Sequence, residues 1–186
     1  MKAIKVLFGM AASICTAQAV AGGSLDLSLS NDAARIEYDA AKVGSGLHVS
    51  ASVQHHETDG DLIGLGAHVV DVREPNSPLY IGVGGKVFLF KDDDFDGGAL
   101  AVGGFLRYQI PQVPDLSVAG YTYYAPKVVS FNETENLLDS DVRVQFSLLP
   151  TARVYAGYRY SRIKIEDVKS NVELEQGIHF GLKVDF

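Results

Sequence analysis

Gly177-Ile178-His179-Phe180-Gly181-Leu182-Lys183-Val184-Asp185-Phe186 closes the chain, and its alternation decides the fold. Ile178, Phe180, Leu182, Val184 and Phe186 fall on one side of an extended backbone. Gly177, His179, Gly181, Lys183 and Asp185 fall on the other. Period-two alternation of this kind marks a strand with one apolar face and one polar or small face. Soluble domains less often finish on an ordered aromatic, because chain ends fray.

Upstream, the same pattern divides the chain into about ten segments. Leu25–Leu29 and Arg35–Ala40 come first, joined by a tight Asn31-Asp32 turn. Leu47–His55, Leu62–Val72, Leu79–Phe90, Gly98–Ile110, Leu116–Tyr124, Asp141–Leu149, Ala152–Ile165 and Leu174–Phe186 follow. Most are near the ~9–11 residues a tilted strand needs to cross a bilayer. One set of connections is proline-rich (Glu74–Pro78, Pro111–Pro114, Pro150-Thr151), and proline ends strands because it cannot donate to the ladder. The other set is acidic (Glu57–Asp61, Lys91–Asp96, Glu133–Asp139, Glu166–Glu175). With ten strands and both termini on one side, the proline turns all fall at the terminal, periplasmic end and the acidic loops outside. The expected fold is therefore all-β: a single antiparallel up-and-down transmembrane β-barrel of about ten strands. Eight strands, with a first hairpin that does not span, is the alternative.

The amino terminus carries a matching address. Lys2 and Lys5 precede the apolar stretch Val6–Ile14, and Ala19-Val20-Ala21 is a small-x-small cleavage pattern. Residues 1–21 read as a secretory signal peptide and 22–186 as the barrel domain. The only cysteine, Cys15, lies in that leader, so the processed chain has no thiol chemistry and no disulfide framework. With Lys2 and Lys5 set aside, 14 of the 16 bases remain against 23 acids, a net charge of −9. That balance argues against a nucleic-acid partner. A terminal strand ending in Phe resembles the closing strand of bacterial outer-membrane barrels. The resemblance implies a Gram-negative outer membrane, contact with its lipid and lipopolysaccharide, and recognition by the barrel assembly machinery. Phe180, Leu182, Val184 and Phe186 would form that assembly signal.

A closer resemblance rests on Gly84-Gly85-Lys86, Ala101-Val102-Gly103-Gly104, Tyr123-Tyr124-Ala125-Pro126 and Ala156-Gly157-Tyr158-Arg159-Tyr160. In order and spacing these are similar to the YfaZ family of bacterial outer-membrane proteins, over most of the chain beyond the leader. The resemblance implies a porin-like barrel without an established substrate, and it brings no catalytic residues.

The residues between the apolar ones define the expected inward face: Asp26, Arg35, Glu37, Asp39, His48, Ser50, Ser52, Gln54, Lys86, Arg107, Gln109, Arg143, Gln145, Arg153, Arg159, Lys183 and Asp185. Both signs are present, so two readings stand. A neutralised network fills the interior, since a small barrel has little spare room. Or a narrow polar pore passes small solutes, with Lys86, Arg107, Arg143, Arg153, Arg159, Lys183, Glu37 and Asp39 lining it. A surface-binding barrel that uses its acidic outer loops is a further alternative. A soluble lipocalin-like barrel would put the apolar face inside.

Other chemistry is weakly signalled. His55-His56-Glu57-Thr58-Asp59 and Asp92-Asp93-Asp94 carry metal-ligand types without metal-site spacing, so they read as solvated loops with no cofactor. A rim enzyme would need His56, Asp59, Asp92 and Asp139 to converge, and the expectation is no enzyme. Tyr121, Tyr123, Tyr124, Tyr155, Tyr158 and Tyr160 are expected mainly in interfacial girdles.

Overall fold

The computed structural model describes residues 22–41, 46–57, 60–71, 77–91, 96–132, 134–165 and 171–186. The leader, residues 92–95, Glu133 and parts of four other connections lie outside them.

The strands are β1 (Gly23–Leu29), β2 (Ala33–Ala41), β3 (Leu47–His56), β4 (Gly60–Val70), β5 (Leu79–Lys91), β6 (Asp96–Gln109), β7 (Leu116–Ala125), β8 (Ser130–Asn132), β9 (Thr134–Leu149), β10 (Ala152–Ile165) and β11 (Asn171–Asp185). All pair antiparallel. Sequential neighbours pair, and β1 meets β11, which closes the sheet into a ten-stranded barrel. The short β8 is an annex. Pro126 cannot extend the ladder of β7, a 3-10 turn follows over Lys127–Val129, and Ser130–Asn132 then pairs with Gly97–Ala99 on the far end of β6. Asn132 has φ 57°, a left-handed conformation that Asn tolerates at a turn.

Closure is staggered. Hydrogen-bonded partners followed from Leu29 through β11, β10, β9, β7 and β6 arrive at Leu79 of β5. Followed the other way, through β2, β3 and β4, they arrive at Lys91, twelve residues further along the same strand. This shear tilts the strands by roughly 40°. The termini are stapled together: the Gly23 N–H donates to the Phe186 carbonyl at 2.8 Å and the Phe186 N–H returns to Gly23 at 2.9 Å. The Phe186 ring lies nearly parallel to Tyr38, 6.2 Å away.

The barrel is inside out relative to a soluble protein. Leu65, Val83, Val102, Val144, Ile178 and Phe180 each expose between 45 and 65 % of their surface outward. Arg35, Lys86, Asp139, Asp141, Arg159, Glu175 and His179 are buried within. A soluble barrel would do the reverse, so the lipocalin-like alternative does not hold. From Ile178 to Phe186 the outward apolar face of β11 covers about 20 Å of height at that tilt, near the ~25 Å apolar band of outer-membrane barrels. The turns at Pro111–Asp115 and Pro150-Thr151 lie at the end that carries the termini, as the topology requires. That end is called the inner end below.

Two expectations fail at the outer end. Residues 134–140 are strand, not an acidic loop, and so is Glu173, just before the expected start of the last strand at Leu174. The alternation of β9 simply continues upward, so Leu137, Asp139 and Asp141 join Arg143 on the inward face. Asp139 is fully buried against Arg35 and belongs to no rim cluster. The tyrosines divide as well: Tyr124 and Tyr158 face outward, whereas Tyr121, Tyr123 and Tyr155 point inward. Tyr155 lies against Gly181, where a Cβ would clash with its ring.

Candidate functional site: the barrel lumen

The lumen has three storeys. At the outer end the inward face is apolar. Leu62, Phe88, Phe90, Ala99, Ala125, Leu137, Ile163 and Leu174 form one cluster, and each exposes 4 % or less. A water-filled passage would leave its lining exposed, so this storey is dry and closed.

Below it runs a belt of ion pairs. Arg35 reaches Glu37 at 2.8 Å and Asp139 at 3.2 Å, and donates to the Tyr121 hydroxyl at 2.9 Å. Lys86 binds Glu37 at 2.9 Å and lies over the Tyr123 ring at 4.8 Å. Arg159 donates to Glu175 at 3.0 Å and to Ser28 at 3.1 Å. Asp141 lies 2.7 Å from His179, 3.4 Å from Arg159 and 3.7 Å from Arg143. All of Asp139, Asp141, Glu175 and His179 are essentially inaccessible to water. Charges so buried persist only because each meets an opposite charge.

The inner storey is a cavity of about 330 Å³, lined by residues of the lower strand halves. Seven bases line it (Arg35, Lys86, Arg107, Arg143, Arg153, Arg159, Lys183) against four carboxylates (Asp26, Glu37, Asp39, Asp185). Together with Asp139, Asp141 and Glu175 of the belt the lumen holds seven carboxylates against the seven bases, so its charges balance overall. Arg143 donates to Asp26 at 2.9 Å and sits over the Tyr155 ring at 4.4 Å; Tyr155 donates to the other oxygen of Asp26. Arg153 pairs with Asp185 at the mouth, and Asp39 with His48 at 2.6 Å. Arg107 lies over Tyr80 at 5.4 Å. Among the described residues, Arg107 and Lys183 have no carboxylate within ion-pair distance.

The eight candidate lining residues therefore all face the interior, at two levels. Lys86, Arg159 and Glu37 belong to the belt that obstructs the lumen. Arg107, Arg143, Arg153, Lys183 and Asp39 belong to the cavity. Phe180, Leu182, Val184 and Phe186 face outward, on the side opposite Lys183. Sequence reading missed Asp139, Asp141, Glu175 and His179, although each follows by steps of two from residues already placed inside. It also missed the apolar outer storey and the inward aromatics Tyr80, Phe105, Tyr121 and Tyr123. Of the metal-type loops, His55 meets Asp61 at 2.7 Å in an exposed pair. Among the described residues no three His, Cys, Asp or Glu side chains cluster to hold a metal. Asp59 and Asp92–Asp94 lie outside those residues.

The chain has similar proteins among known sequences and structures. The chain is 28 % identical over 166 residues to "Outer membrane protein YfaZ" of Escherichia coli (strain K12), across 86 % of this chain and 88 % of that one. Similar solved structures include a KdgM porin, with TM-score 0.47 and 13 % identity, covering 89 % of this chain and 99 % of that one. The outer membrane channel DcaP of Acinetobacter baumannii has TM-score 0.46 and 11 % identity over 87 % of this chain, which spans about half (54 %) of DcaP. Residues 1–186 match the family described as YfaZ precursor, a description that agrees with a leader at the start of the chain. The chain belongs to the YfaZ family, a porin-like β-barrel of the outer membrane made with a signal peptide.

Proposed function

We propose that the protein is a passive, porin-like barrel whose lumen admits small solutes from the periplasmic side and is shut at its outer end by side chains. The single observation that carries this is the division of one lumen into a basic cavity and a dry apolar storey. The obstruction consists of a few large side chains on rigid strands, not of a folded domain, so it can be removed without rebuilding the barrel. Nothing in the lumen calls for catalysis on this reading: its charges bind one another or face the cavity. With Arg107 and Lys183 unmatched by a carboxylate among the described residues, an opened lumen favours anions.

The test is single-channel recording on protein purified from outer membranes, beside a variant that clears both layers, Phe88→Ala/Phe90→Ala with Arg159→Ala/Glu175→Ala. The wild type is expected to be silent or to open briefly. The variant should show discrete steps that carry anions in preference to cations. A variant that keeps a heat-modifiable folded band yet stays silent would overturn the proposal in favour of a non-conducting surface barrel.

A further inference from the structure

The inner cavity has two chemically different walls. On one side, contributed by β4 to β7, runs a continuous aromatic strip: Tyr80 packs on Phe105 at 5.8 Å, Phe105 meets the His68 ring edge-on at 5.7 Å, and His68 meets Tyr123 at 5.7 Å. Across the lumen, β9 to β11 supply Arg143, Arg153 and Lys183. Arg107 stands on the aromatic side near the mouth, over Tyr80.

Three features separate this from ordinary interior filling. First, Lys183 and Arg107 are half-buried, face the cavity and, among the described residues, lack a carboxylate partner, whereas the belt cations above are paired. Second, His68 is 2 % exposed and lines the cavity, and among the described residues neither of its buried ring nitrogens has a hydrogen-bond partner. With both nitrogens closed off, the imidazole offers the cavity ring surface and extends the aromatic strip. Third, a cavity of about 330 Å³ lies at the small end of ligand sites, which combine apolar walls with a few convergent polar groups.

We infer that the inner cavity is a binding site for a small organic oxyanion with a flat apolar body. The oxyanion lies toward Lys183 and Arg107, and the body lies along the Tyr80–Phe105–His68–Tyr123 strip. Cationic side chains give charge-assisted bonds to an oxyanion, and the ring faces give area to a planar body. The inference rests on the reading of the lumen as open to solutes from the inner side. It does not require that they cross.

Isothermal titration of the detergent-solubilised protein with benzoate at low ionic strength tests it, with empty micelles as the blank. Benzoate should bind one to one. Benzyl alcohol, which keeps the ring and loses the charge, should bind at least about tenfold more weakly. Inorganic phosphate, which keeps the charge and lacks the ring, should also bind more weakly. Arg107→Gln/Lys183→Gln should lose about tenfold in benzoate affinity, and Lys183→Arg should retain it. If the double variant does not fold, ¹⁵N spectra of labelled histidine in the wild type decide: the His68 ring signals should move on titration with benzoate. Equal binding of benzyl alcohol, or a double variant that binds as the wild type does, would overturn the anion site. Phosphate as tight as benzoate would overturn the planar body. No binding in a protein whose plug variant conducts would sink this inference and leave the porin reading intact. Binding in a protein whose plug variant is silent would do the opposite.

Discussion

At the outer end of the lumen Phe88, Phe90, Leu137 and Leu174 pack as in a soluble core, and the charges beneath them are matched and dry. At the inner end the same ten strands enclose a cavity in which, among the described residues, Lys183 and Arg107 meet no carboxylate and aromatic rings stand along one wall. The halves differ in which residues take the inward positions: large apolar side chains and matched ions above, glycines, serines and two unmatched cations below. Stability is therefore concentrated in the outer half and the capacity to hold a solute in the inner half.

The comparison is broken most severely at the belt. Asp141→Ala removes the one carboxylate that faces Arg143, Arg159 and His179, at a site closed to water. It should cost about 3–5 kcal/mol, read as a lower urea midpoint of unfolding from lipid vesicles. Val144→Arg leaves the lumen alone and places a charge on the lipid face near mid-membrane, at an expected cost of about 2–4 kcal/mol in the same assay. Asp26→Asn weakens the pair with Arg143 and the bond from Tyr155 in the wetter half, and should cost less, about 1–3 kcal/mol. A loss equal to that of Asp141→Ala would erase the distinction between the halves. Lys164→Ala breaks an exposed pair with Glu135 above the belt and should leave the urea midpoint nearly unchanged.

Much of this was legible in the sequence because strand alternation is strict. Once Ile178, Phe180, Leu182 and Val184 are placed toward lipid, Lys183 and Asp185 have only the lumen left, and the same logic placed Arg143, Arg153 and Glu37. Proline turns and an aromatic last residue pointed to about ten strands, with eight left open, and to the end at which the termini lie. The failures also have physical causes. Glu135 and Asp139 look like loop composition, because strand and exposed loop can use the same polar residue types. Only partners supplied by distant strands, such as Arg35 of β2 for Asp139 of β9, distinguish them. Phe88 and Phe90 were hidden because Val87 and Leu89 between them are equally apolar, so the run Val87–Phe90 has no polar face to mark as inward. The cavity was beyond reach, since its volume depends on which side chains meet across the barrel.

The most direct test of the division of the lumen uses the absence of thiols. The only cysteine lies in the leader, so a single introduced cysteine in the processed protein reports alone. Arg107→Cys lines the inner cavity, and Ser161→Cys replaces a residue of 0 % exposure at the top of the belt. Both would be exposed to a small water-soluble thiol reagent in detergent micelles, where each mouth of the barrel is accessible. The account predicts prompt labelling at 107 and labelling at 161 slower by on the order of a hundredfold, because that site reacts only when the belt opens. Rates within a few-fold of each other would contradict it, and would mean a lumen that is wet from end to end.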